Sequence, residues 1–192
     1  MTGFDPEALL ADTGALLTGH FRLSSGRHSD VFVQKFRLFE NPVPTRRCGQ
    51  ALAARFDGEF DVVASPAVGA LVLGWATALA AEARSVFAER VDGRMVFRRG
   101  FRLVRGERAL VVEDVVTTGG SAREVVDLVT SAGAVPVGVG ALVDRSDPAL
   151  PPPVGVPLRA LVRLEATSWD PASCPVCRSG APLEDPGSRR LP

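Results

Sequence analysis

The segment Ala109-Leu-Val-Val-Glu-Asp-Val-Val-Thr-Thr-Gly-Gly-Ser121 concentrates residue types suited to holding a phosphorylated sugar. Ala109 to Val112 is an apolar run that reads as a buried strand. It delivers two adjacent acids, Glu113 and Asp114, to the strand's C-terminal end, where ligands of open α/β sheets collect. The small-residue loop Thr117-Thr118-Gly119-Gly120-Ser121 then leads into a helix. Glycines let backbone approach an anion closely, and N–H groups at a helix start bind phosphate without net protein charge. The hydroxyls of Thr117, Thr118 and Ser121 add donors. Two carboxylates beside such a cradle would repel an anion unless they face a ribose diol or a hydrated Mg²⁺. The pattern therefore predicts a sugar phosphate with free hydroxyls. The plainer alternative is an acid-ended strand with a Thr-Gly helix cap. It is not a dinucleotide fingerprint, since no G-x-G-x-x-G follows a strand and no G-x-x-x-x-G-K-[ST] exists.

These residues need a scaffold that brings strand ends together. Pro6 and Glu7 open a predicted helix running to about Leu17, followed by extended pieces at Phe21 to Leu23 and Asp30 to Phe36, with Lys35 on the second. Pro44 and Thr45 start a helix that reaches about Phe56, closed by Gly58. From Asp61 the rhythm is strand, loop, helix, strand: Val62 to Ala64, Ala70 to Ala81, Ser85 to Ala88. An Arg-rich stretch, Arg90 to Arg108, precedes the motif strand. A helix from Ser121 to Ser131 and strands Val135 to Val143 and Leu158 to Leu164 follow. Near-continuous apolar strands alternating with helices predict an α/β fold with a mostly parallel sheet covered on both faces. The uncharged interval between Asp61 and Glu82 is long enough for a membrane span, but Pro66 and Gly69 break it into strand, turn and helix. From Ser168 on, Pro, Cys, Gly and Ser dominate and periodicity is lost.

The chain has 192 residues, 46% hydrophobic and 23% charged, the composition of an ordered globular protein. Its 22 basic and 22 acidic residues cancel, so nothing draws it globally to nucleic acid or an anionic membrane. Three cysteines make no disulfide scaffold, and the N-terminus has no basic-then-apolar signal pattern, so the expected location is cytoplasmic. There is no Ile, a single Lys (Lys35) and a single Asn (Asn41) against 21 Arg. Arginine is this chain's habitual cation, which singles out Lys35, because ammonium and guanidinium are not interchangeable.

Val111 to Ser121 resembles the phosphoribosyl-pyrophosphate motif of type I phosphoribosyltransferases. The rest of the chain resembles the orotate branch of that family. Phe21-Arg-Leu-Ser-Ser-Gly-Arg-His-Ser-Asp-Val-Phe-Val-Gln-Lys35 is similar to its ligand-covering hood, and Leu142-Val-Asp-Arg145 to its strand end bearing an orotate-contacting Arg. Cys174-Pro-Val-Cys177 with Pro186-Gly-Ser-Arg189 resembles a tail found in one subgroup. The resemblance implies a type I phosphoribosyltransferase domain over residues 1–167, with a hood over about 1–40, and a tail over 168–192. It implies transfer of phosphoribose to orotate, with Mg²⁺ as cofactor, in a homodimer, as a step of pyrimidine biosynthesis.

The same resemblance gives Glu113 and Asp114 the ribose hydroxyls, and Val115, Val116, Thr117, Thr118, Gly119, Gly120 and Ser121 the 5′-phosphate. Lys35, on its alternating strand, reads as a contact to the pyrophosphate donor or a loop, or else as an edge-strand charge. Thr117 and Arg145 take orotate. Ser65-Pro-Ala-Val-Gly-Ala70 matches the pyrophosphate loop. Many relatives carry a Lys in that loop, where this chain has apolar Val68, and some carry another Lys where Ser24 stands. They also carry Lys and His on a mobile loop, where Glu89 to Gly100 offers Arg94, Arg98 and Arg99 as catalytic cations, or else a solvated hairpin turning at Gly93. Other readings are a purine phosphoribosyltransferase, or a phosphoribosyl-sensing regulator that binds nucleic acid through a basic patch such as Arg98 to Arg108. His28 reads as a proton-transfer group or a loop residue, and His20 carries less signal. Cys174 and Cys177 are half of a zinc knuckle that a second chain would complete, or packing thiols.

Overall fold

The computed structural model describes residues 4–23, 25–147, 149, 154–165 and 167–186. Ser24 and residues 187–189 of the tail motif lie outside them. The chain divides into two compact units: residues 1–6 with 39–164, and residues 7–38 with 165–192.

The larger unit is built on a six-stranded sheet. Its elements are α3 (Pro42–Ala54), β3 (Val62–Pro66), α4 (Leu71–Ala80), β4 (Arg84–Val91), β5 (Arg94–Phe97), β6 (Arg108–Val116), α5 (Gly120–Ser131), β7 (Val135–Asp144) and β8 (Leu158–Arg163). The strand order is β5-β4-β3-β6-β7-β8. Every pairing is parallel except β4 with β5, a hairpin whose register puts Val91 opposite Arg94. Its two-residue turn, Asp92 (φ 48°) and Gly93 (φ 80°), has the left-handed conformation that matches strand twist in tight hairpins. The Arg-rich stretch thus begins as a regular hairpin.

Alternation along the strands splits the core between two faces. Val62, Ala64, Val111, Val139 and Ala141 pack with Ala122, Val125, Val126 and Val129 of α5, which recur at the spacing of one helix face. The opposite face meets α3 and α4. There β7 carries glycines, since a Cβ on Gly138 would sit 2.7 Å from the Phe56 ring and one on Gly140 3.1 Å from Leu52. Gly49 of α3 lies so close to α4 that a Cβ would fall 2.5 Å from the Ala76 carbonyl carbon.

The smaller unit holds most of α1 (Pro6–Asp12), β1 (Leu16–Arg22), β2 (His28–Val33), most of α2 (Lys35–Phe39), β9 (Ser168–Trp169), a 3₁₀ turn (Pro171–Ser173) and the short helix α6 (Pro175–Arg178). β1, β2 and β9 form an antiparallel sheet in that order. Two expectations are corrected here. The first helix stops at Asp12, not Leu17, because Gly14 takes φ 65° and the Ala15 N–H caps the Leu10 carbonyl at 2.8 Å, turning Leu16 and Leu17 into strand. Lys35 is not on the extended segment; β2 ends at Val33 and Lys35 opens α2, its Nζ 5.3 Å from the Phe36 ring centre. No helix among the described residues is long and apolar enough to cross a membrane.

Candidate active site at the C-terminal edge of the large sheet

Chain order reverses direction across the sheet between β3 and β6. From β3 the next strand lies on one side, and from β6 the next lies on the other. Such a switch point leaves a crevice at the strands' C-terminal ends, where ligands bind. β6 runs four residues past its purely apolar stretch, so Glu113 and Asp114 sit within the strand, both 7% exposed. Each acid is turned onto adjacent backbone: Glu113 Oε1 accepts from the Asp114 N–H at 3.0 Å, and Asp114 Oδ1 from the Val115 N–H at 2.6 Å.

Beyond Val116, Thr117 and Thr118 are exposed, Gly119 is buried, and α5 begins at Gly120. Gly119 is the N-cap, with φ 75° and no side chain to satisfy the first N–H groups of α5. A residue with a Cβ is strained at that φ, so the sequence uses glycine where the chain must turn sharply and leave donors facing outward. On one flank, β7 ends at Asp144 opposite Val116, and the Arg145 N–H donates to the Val116 carbonyl at 2.7 Å. Arg145 thus follows the neighbouring strand at the level of Thr117. On the other flank, β3 ends in the Ser65 to Ala70 loop. Ser65 Oγ is buried without a hydrogen-bond partner among the described residues, and Val68 is 67% exposed.

The arginines of the hairpin divide. Arg99 donates to both oxygens of Glu89, at 3.0 and 2.8 Å, which holds the Glu89 carboxyl below its ordinary range. Arg90 donates to Glu124 on the second turn of α5 at 2.8 Å. Arg94 and Arg98 are exposed. Among the sequence-predicted residues, the large sheet gathers Glu113, Asp114, the 115–121 loop and Arg145 at one edge, while Lys35 belongs to the smaller unit.

Sequence reasoning missed two things. Asp144, 6% exposed, accepts from Arg163 of β8 and, at 2.6 Å, from the Ser146 hydroxyl, while Arg163 also donates to the Ser146 carbonyl at 2.8 Å. This network fixes the turn that carries Arg145, and only the β7–β8 register reveals it. His28, read as a proton-transfer or loop residue, and His20, given less weight, are 5% and 3% exposed and face Cys174 and Cys177.

The arrangement has known counterparts. Residues 45–156 match the phosphoribosyl transferase domain family. An orotate phosphoribosyltransferase of Caldanaerobacter subterraneus is 47% identical over 174 residues, covering 90% of each chain. One from Pelotomaculum thermopropionicum is 45% identical over 192 residues, the whole of both. The crystal structure of Mycobacterium tuberculosis orotate phosphoribosyltransferase in complex with inorganic phosphate superposes with a TM-score of 0.65 at 26% identity, covering 84% of this chain and 97% of that one. With that similarity spanning the full chain and that fold beneath it, the protein belongs to the orotate phosphoribosyltransferases of the type I phosphoribosyltransferase family.

Proposed function

We propose that this protein transfers phosphoribose from 5-phosphoribosyl 1-pyrophosphate to orotate, releasing pyrophosphate and orotidine 5′-monophosphate for pyrimidine synthesis. The bond from the ribose anomeric carbon to pyrophosphate breaks, a bond to orotate N1 forms, and the N1 proton leaves. The observation that carries this reading is the placement of Glu113 and Asp114 one turn of chain before a helix start capped only by glycine. The acids accept from the two ribose hydroxyls. The N–H groups of residues 117–121 and the hydroxyls of Thr117, Thr118 and Ser121 hold the 5′-phosphate, with Val115 and Val116 as the wall behind it. Arg145 meets the orotate carboxylate with two parallel hydrogen bonds, and Thr117 touches the base. The Ser65 to Ala70 loop receives the pyrophosphate. Positive charge there comes from Arg94 and Arg98, and from Arg99 where it leaves its pair with Glu89. These cations favour the departing pyrophosphate as positive charge develops on the ribose.

Mg²⁺ fits this donor set as an ion carried by the substrate. Hard carboxylate oxygens stand at the sheet edge, whereas the one metal-capable group found among the described residues, His20, His28, Cys174 and Cys177, has donors too soft for it. When bound, the ion neutralises pyrophosphate charge. A homodimer is supported by α4, where Val72, Trp75 and Leu79 line one face and are 39%, 59% and 56% exposed, with Val68 just before them. The test is consumption of orotate, against adenine and hypoxanthine, with the pyrophosphate donor and Mg²⁺. Orotate-dependent pyrophosphate release is expected; release with a purine instead would overturn the reading.

A further inference from the structure

The smaller unit contains a second constellation that the transfer reaction leaves unused. His20 lies on β1, His28 opens β2, Cys174 caps α6 and Cys177 sits within it. One ligand atom from each lies within 4.8 Å of all the others. His20 Nε2 is 3.1 Å from His28 Nδ1 and 3.5 Å from each sulfur, and His28 Nδ1 is 3.2 Å from the Cys177 Sγ. Zinc bonds of about 2.0–2.1 Å to nitrogen and about 2.3 Å to sulfur give tetrahedral edges of about 3.3 Å between nitrogens and about 3.6 Å from nitrogen to sulfur. The observed separations approach those edges.

We propose that His20, His28, Cys174 and Cys177 form a structural zinc site within one chain. The surroundings are arranged for it. The Nδ1–H of His20 donates to the Ala181 carbonyl at 3.0 Å, which leaves the Nε2 lone pair facing the cluster, the outer-shell arrangement that orients ligating imidazoles. The Cys177 N–H donates to the Cys174 sulfur at 3.4 Å, closing the Cys-x-x-Cys turn around it. The hairpin pairs Arg22 with His28 and so sets the two imidazoles side by side, and β9 pairs with β2 at His28 and leads into the cysteine turn. His20, His28 and Cys174 are buried, while Cys177 closes the group on its solvent side. Two thiolates cancel the ion's double charge, so the complex is neutral where it is buried. Four protein ligands leave no open position, which assigns the ion to holding structure, and an S₂N₂ tetrahedron selects zinc. The cysteine pair thus takes its partners from the same chain's histidines; the second chain foreseen from the sequence is not required.

The site is tested on the full-length chain without a histidine tag, by metal analysis and thiol titration together. One zinc per chain is expected, with Cys174 and Cys177 shielded from a thiol reagent until a chelator releases the metal. Cys48 is an internal reference: buried in α3, its thiol is pushed up to about 12 and stays unreactive in both states. Replacing both knuckle cysteines by Ser should lower zinc content about tenfold or more. Because that variant is open to misfolding, the wild-type chain is also loaded with Co²⁺, where intense visible bands with thiolate charge transfer are expected. A wild-type chain that stays metal-free after refolding with zinc and shows no such bands overturns the proposal. So does a native mass two hydrogens low, which marks a Cys174–Cys177 disulfide. Neither result depends on which base the enzyme uses.

Discussion

At the scale of single residues, the proposed pairing of Arg145 with the orotate carboxylate makes base choice its test. Orotate differs from uracil by a carboxylate, and two charge-assisted hydrogen bonds to it are worth roughly 1.5–3 kcal/mol. Arg145→Ala should therefore reduce orotate kcat/KM about tenfold to a hundredfold, while the donor's KM moves much less. Titrating each substrate separately checks this; equal losses for both would remove Arg145 from the base pocket. Asp114→Asn should instead weaken use of the pyrophosphate donor by about tenfold or more at unchanged melting temperature, because a charged acceptor is lost without a change of shape. Glu113, Asp114 and the 117–121 loop were legible because they are contiguous. Asp144 with Arg163, and His20 with Cys174, were not, since 19 and 154 positions separate the partners and only the folded register joins them.

Helices and strands carry their own tests. The contact of Gly49 with Ala76 leaves no room for a methyl group between α3 and α4, so Gly49→Ala should destabilise by roughly 1–3 kcal/mol and lower the melting midpoint by several degrees. At the N-terminal edge, opposite the site, Arg108 at the start of β6 donates to Asp61 just before β3, through Nε at 3.0 Å and Nη2 at 2.5 Å. Those hydrogen bonds hold the Asp61 carboxyl below its ordinary value. A lowered folded pKa adds stability above the unfolded value of about 3.9 and loses it as pH falls through the folded one. Wild type and Asp61→Asn should accordingly differ in melting temperature at neutral pH and converge in acid; a constant gap would show that the pair's charge contributes nothing. The parallel strands were read from sequence to within a few residues, because buried apolar runs are continuous. The ends of α1 and β2 were not, because a left-handed Gly14 and the onset of α2 overrode the alternating pattern.

For the molecule as a whole, assembly is the open variable. If Trp75 and Leu79 meet a second copy, Trp75→Glu should convert dimer to monomer in sedimentation. Mixing Asp114→Asn chains with chains lacking Arg94 and Arg98 should restore partial activity if the hairpin serves a neighbour's site. No recovery, given subunit exchange, would confine those arginines to their own chain. The histidine cluster has a further consequence for anyone dissecting the enzyme with reagents. The chain possesses two imidazoles, and both are turned toward each other and the cysteine sulfurs. Acyl groups that an acylating agent leaves on imidazole, as distinct from those on the Lys35 amine or the thiols, would report only on the clasp. The rate at which those acylimidazoles form measures how readily the smaller unit comes undone, and its slowing by substrate would reveal stiffening rather than a proton carrier.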